Sequence, residues 1–149
     1  MTAVWASGPS ARGRWGAAMV GLALLGLAIA GYLLTVRVLG EAPACGPVRG
    51  CDTVAASPYA TVAGWPVALF GVAFSIALLV ATMAWWRRAD RRAVYASYGL
   101  GLLGVVAVGY LTYLELFVIE AICLWCVSYA ATIVLGWGLA WAAARDGRG

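Results

Sequence analysis

The chain has 149 residues, of which 64% are hydrophobic and 11% charged, with a formal net charge of +4. Soluble domains carry about 45–50% apolar residues, so this composition excludes an ordinary soluble domain and indicates an integral membrane protein. His, Lys, Asn and Gln are all absent, which removes imidazole chemistry, a Schiff-base lysine, amide ligands and the N-glycosylation sequon, and leaves Cys, hydroxyls, Trp and a few carboxylates for any reaction.

Residues 1–14 are rich in Gly, Ser, Ala and Arg and read as a disordered cytoplasmic tail. Four apolar stretches follow, over residues 15–39, 62–86, 93–119 and 122–144. Each reaches the length of about 20 residues that crosses a bilayer core. The first is longer than a signal-peptide core, and Pro43 disfavours cleavage at Ala42-Pro43-Ala44, so it reads as a retained span. The expected fold is all-α: a polytopic bundle of four transmembrane helices with one long extracytoplasmic loop, residues 40–61, and a short tail at 145–149. Every basic residue is Arg. Arg12, Arg14, Arg87, Arg88, Arg91, Arg92, Arg145 and Arg148 fall on one face, which by the positive-inside rule is cytoplasmic, with both termini. Arg37 lies near the outer end of the first span, where its side chain can snorkel.

The loop is punctuated by Gly40, Pro43, Gly46 and Pro47, and it holds Cys45 and Cys51. Its turn residues allow the two α-carbons to approach to the ~4.4–6.8 Å of a disulfide. Alone, that pair reads as a static loop staple. Pro66 falls close to the start of the second span and is tolerated there. In the third span Gly101, Gly104, Ala107 and Gly109 read as a close-packing surface. Glu115 and Glu120, near its outer end, read as headgroup-zone residues, with help in proton movement as the alternative. The fourth span opens with Cys123-Leu124-Trp125-Cys126. A C-x-x-C pair in a helical first turn puts both sulfurs on one face, where unpaired amides favour a thiolate. The signature suits redox exchange and also metal binding, although the spacings of the two pairs are unusual for structural zinc.

Taken together, Cys45, Cys51-Asp52-x-Val54, Ser57, Tyr59-Ala60, Gly64-x-Pro66-Val67-Ala68-Leu69-x-Gly71, Tyr113-Leu114 and Ala121-Ile122-Cys123-x-Trp125-Cys126 form a pattern covering nearly the whole chain. It resembles the vitamin K epoxide reductase family, particularly its bacterial disulfide-forming branch. The resemblance implies a helix bundle around a quinone pocket at the outer surface, with Cys123 and Cys126 catalytic and Cys126 nearest the quinone. Cys45 and Cys51 match the shuttle pair that trades disulfides with a thioredoxin-fold partner, through an intermediate bond between Cys51 and Cys123. Ser57 matches a serine near the quinone. Trp65, Phe70, Tyr113, Trp125 and Tyr129 are candidates for the same pocket, as is Tyr110, with packing or an interfacial belt as the plainer reading of each.

Animal members hold the quinone carbonyl with an Asn where this chain has Val67, and they carry Tyr where it has Ala130, with Tyr129 one position away. The resemblance therefore favours quinone reduction coupled to thiol oxidation over epoxide reduction. The expected cofactor is a membrane quinone, menaquinone or ubiquinone, with no metal. The expected partner is a separate thioredoxin-fold thiol oxidase, because no such domain follows Ala144, and the expected location is the bacterial inner membrane. The alternatives are a cysteine-based membrane metal-handling protein and a quinone/quinone-epoxide reductase of the vitamin K type.

Overall fold

The computed structural model of the chain describes residues 3–47 and 50–146; Arg49 and Arg148 lie outside the described residues. Helix α1 runs over Ala3–Val38 and is followed by a loop and the short helix α2, Gly50–Ala56. A 3-10 turn at Pro58–Ala60 leads into a minimal hairpin, β1 Thr61–Val62 paired antiparallel with β2 Trp65–Pro66. Helix α3, Val67–Arg88, and helix α4, Arg91–Tyr113, come next; α4 continues as a π-helical turn, Leu114–Ile119, and α5 spans Leu124–Asp146. Helices α1, α3, α4 with its π turn, and α5 are each long and apolar enough to cross a membrane. The fold is an all-α, polytopic membrane bundle.

Two local differences from the sequence reading have physical causes. The first helix reaches back to Ala3 through the segment expected to be a disordered tail, because extending an existing helix adds one hydrogen bond per residue without a new nucleation cost. The second spanning helix starts at Val67, not near Val62, because Ala63 (φ 52°) and Gly64 (φ 84°) make a tight turn that folds the chain into the hairpin first. Two successive positive φ angles are what a two-residue hairpin turn with the right twist requires.

The link between α3 and α4 is only Ala89 and Asp90. Ala89 adopts the left-handed conformation and its N–H returns to the Trp85 carbonyl, ending α3. Asp90 then caps α4, its side chain accepting from the Arg92 N–H at 2.9 Å.

The spanning helices pack as a closed ring, each against two neighbours, in the order α1, α3, α4, α5 and back to α1. At the Arg-rich end the ring is filled by Met19, Trp85, Val94 and the small residues Ala93, Ala140, Ala143 and Ala144. Gly101 and Gly104 are close-packing sites, since a methyl at Gly104 would sit 2.6 Å from the Phe74 ring and one at Gly101 3.1 Å from Trp137; Gly109 faces open space. Ser75, Thr82, Ser97 and Thr132 are buried between the helices. Hydroxyls so placed bond within the bundle, as Ser97 does to the Ala93 carbonyl (3.0 Å) and Thr132 to the Tyr129 carbonyl (2.7 Å).

Candidate active site

Opposite the Arg-rich end, all four cysteines meet. Cys45 and Cys51 are joined by a disulfide, with their α-carbons 6.0 Å apart. Cys51, in the first turn of α2, is fully buried. Cys123 and Cys126 are free thiols, the first buried and the second half-buried.

Cys123 sits one residue ahead of α5 and caps it. Its carbonyl accepts the Val127 N–H at 3.0 Å, and its sulfur accepts the Cys126 N–H at 3.3 Å. A sulfur therefore occupies the place that a Ser or Asp oxygen usually takes at a helix N-cap. The Cys126 thiol beside Cys123 holds the Cys123 thiol below its ordinary range, helped by the backbone N–H groups of Cys126 and Trp125, against the opposing effects of burial and of the Glu115 carboxylate.

Glu115 is the residue that sequence reasoning misplaced. It is not in the headgroup zone but 5% exposed. Its Oε2 accepts the Cys123 N–H at 3.2 Å, and its carboxyl shares a hydrogen bond with the Cys126 thiol. The cause is the π turn. Its wider winding closes on Glu120 (φ 54°), whose N–H, like that of Ala121 at 3.0 Å, returns to the Glu115 carbonyl. Single π turns inside α-helices are frequent at functional sites because they re-aim side chains without ending the helix. The only sequence signal was a lone Glu, eight residues before Cys123, inside an apolar run.

Three points of the cysteine segment, Ala44, Gly50 and Ala55, are held over this site. Ala44 is gripped on both sides: its N–H donates to the Tyr32 hydroxyl at 3.0 Å and its carbonyl accepts the Trp125 indole N–H at 2.9 Å. The two rings pack with centroids 4.7 Å apart. Arg37, expected to snorkel, instead donates to the Ala55 carbonyl at the end of α2, at 2.8 Å. Gly50 presses against Ile122 so closely that any β-carbon would strike the Ile122 carbonyl. Gly50 and Ile122 are the residues immediately ahead of Cys51 and Cys123.

A cavity of about 500 Å³ opens beneath, bordered by Cys51, Cys123, Cys126 and Glu115. Of the pocket candidates, Ser57, Phe70, Tyr110 and Tyr129 line it, and Val67 does too; Trp65, Tyr113 and Trp125 do not. Trp125 is occupied with Ala44, Tyr113 packs on Phe117 at 5.2 Å, and Trp65 is exposed on β2. The Ser57 hydroxyl donates to the Val54 carbonyl at 2.7 Å, and the Tyr129 hydroxyl donates to the Gly71 carbonyl at 3.0 Å. A mainly apolar wall with a few convergent polar groups, at a volume inside the ~300–1,000 Å³ of small-molecule sites, suits a flat hydrophobic ring such as a quinone. Among the described residues, no three His, Cys, Asp or Glu side chains gather as a metal site.

Four spanning helices closed around such a cavity, with cysteines at its end, define a polytopic membrane protein with a cysteine-lined site. The chain belongs to the vitamin K epoxide reductase family, whose family model matches residues 17–141. Among curated proteins, none matches the chain. Membership makes it an oxidoreductase, and proteins of this family use quinones.

Proposed function

We propose that the chain is a thiol:quinone oxidoreductase of the bacterial inner membrane. It oxidises a separate thioredoxin-fold partner on the extracytoplasmic side, delivers the electrons to a membrane quinone, and so supports disulfide formation in exported proteins. The observation that carries this reading is an apolar cavity bordered both by Cys51, from the bonded pair, and by the two free thiols Cys123 and Cys126.

In this reading the partner's thiolate attacks the Cys45–Cys51 bond, and the partner leaves oxidised. The Cys51 thiolate then attacks Cys123 in a Cys123–Cys126 disulfide, which forms a Cys51–Cys123 bond and frees Cys126. Attack by Cys45 on Cys51 restores the shuttle bond and leaves Cys123 and Cys126 reduced, the state of the four sulfurs described above. A bound quinone supplies a two-electron, two-proton acceptor. Ser57 and Tyr129 line the cavity that would hold it, and the surrounding aliphatic and aromatic wall would exclude water.

Purified protein in detergent, given a dithiol and a quinone, tests the reading. Replacing Cys126 with Ala should stop quinone reduction, because the Cys123–Cys126 disulfide can no longer form, whereas replacing Cys45 with Ala removes the thiol that resolves the Cys51–Cys123 bond and should accumulate it, seen by peptide mapping; undiminished turnover in the Cys126→Ala variant would sink the proposal. Replacing Cys45 or Cys51 with Ala should abolish oxidation of a protein partner while leaving activity with a small dithiol, which reaches Cys123 directly.

A further inference from the structure

Glu115 is the only buried carboxylate among the described residues. Its side chain is taken out of water within a spanning segment, a placement that is costly and rare without a function. It borders the same cavity as Cys126, and its hydrogen-bond partners are the Cys123 N–H and the Cys126 thiol.

Resting on the thiol:quinone reading, we propose that Glu115 is the base that deprotonates Cys126: the S–H bond breaks, an O–H bond forms on the Glu115 carboxylate, and the electron pair stays on the Cys126 sulfur at the cavity wall. Cys123 cannot serve as that base and keep its own role. Its sulfur is the N-cap of α5, the place where the first negative charge of the dithiol rests, and two adjacent thiolates repel. The second proton needs another acceptor within hydrogen-bond reach, and the π turn supplies it. Closing two thiols into one disulfide releases two electrons and two protons, which is what reduction of a quinone consumes. Glu115 thus returns to the carboxylate after each turnover with no further reactant.

The other ionisable groups on this cavity are Arg37 and Glu41 at the end of α1, Tyr59, Tyr110 of α4 and Tyr129 of α5, beside Cys123. A Cys123→Ser background keeps an N-cap oxygen and, with the Cys45–Cys51 bond intact, leaves Cys126 as the single free thiol. In that background Glu115→Gln should lower the rate at which Cys126 is alkylated at a given pH, because no carboxylate remains to take its proton, whereas Glu41→Gln should leave the rate where it was. With all four cysteines present, Glu115→Gln should slow quinone reduction by about 100-fold or more and erase the acid limb of its pH profile, and Glu115→Asp should restore part of both. Alkylation unmoved or raised by Glu115→Gln, or lowered equally by Glu41→Gln, overturns the assignment. So does a Glu115→Gln protein with the wild-type rate and pH profile, or a Glu115→Asp protein that keeps its Cys45–Cys51 bond yet falls as far as Glu115→Gln. If the wild-type protein reduces no quinone at all, the functional reading fails by itself, and the alkylation series still decides what Glu115 does.

Discussion

A cysteine at a helix N-cap is both a structural and a chemical residue. Cys123 satisfies the Cys126 N–H, and that same contact stabilises its thiolate. The sign of the effect is explicit: with its value lowered, Cys123 stays ionised as pH falls below the ordinary thiol range of about 8.5 and becomes protonated only once pH drops through the lowered value. Cys123 should therefore react with iodoacetamide at a pH where a model thiol is inert. Removing the largest contributor, the Cys126 thiol, should move the midpoint of the rate-against-pH curve back up. A Cys126→Ala protein whose Cys123 curve does not move would show that the capping amides alone set its reactivity. Trp125 illustrates the same economy, since an aromatic at interfacial depth is expected to anchor, and here its indole N–H also holds the backbone next to Cys45.

At the scale of elements, the short helix α2 matters because of where it docks. Gly50 has no space for a side chain against the Ile122 carbonyl, so Gly50→Ala must lift the start of α2, and Cys51 with it, away from Cys123. The expected outcome is a protein that keeps both its thermal stability within about 1–2 kcal/mol and its Cys45–Cys51 bond. In a Cys45→Ala background, however, where no Cys45 thiol remains to resolve the mixed disulfide, it should fail to accumulate the Cys51–Cys123 bond, as read by mass spectrometry. The α3–α4 link offers a control far from the cysteines. Asp90→Ala removes the N-cap of α4 and should cost about 1 kcal/mol in thermal unfolding, with dithiol oxidation unchanged. The π turn was invisible to sequence reasoning. A period of 3.6 assigns Glu115 to whichever face its neighbours define, and a wider turn of six residues breaks that period without any Gly or Pro to announce it.

For the whole molecule, hydropathy and length made the four spanning helices legible, because in lipid a continuous apolar helix is nearly the only way to satisfy the backbone. The two cysteine pairs and the family pattern were legible too, as fixed spacings of a rare residue. What could not be read was tertiary: the grip of Tyr32 and Trp125 on Ala44, the bond from Arg37 to Ala55, and which aromatics face the cavity. Each joins segments far apart in sequence through groups with a plausible solitary role. Orientation rests on the Arg distribution, and it leads to a direct test. After mild reduction of intact cells, a membrane-impermeant maleimide should label Cys45; labelling only after the membrane is breached would reverse the proposed topology.

The three fastenings of the cysteine loop also shape the rate law. With Ala44, Gly50 and Ala55 each held to the bundle, Cys45 is adjacent to one fixed point and Cys51 to another. In the proposed reading, the partner comes to a disulfide held at both ends. In the proposed mechanism, exchange between Cys51 and Cys123 is then a first-order event at a high effective molarity, insensitive to dilution. The encounter with the partner is the second-order step, and at low partner concentration it alone sets the flux.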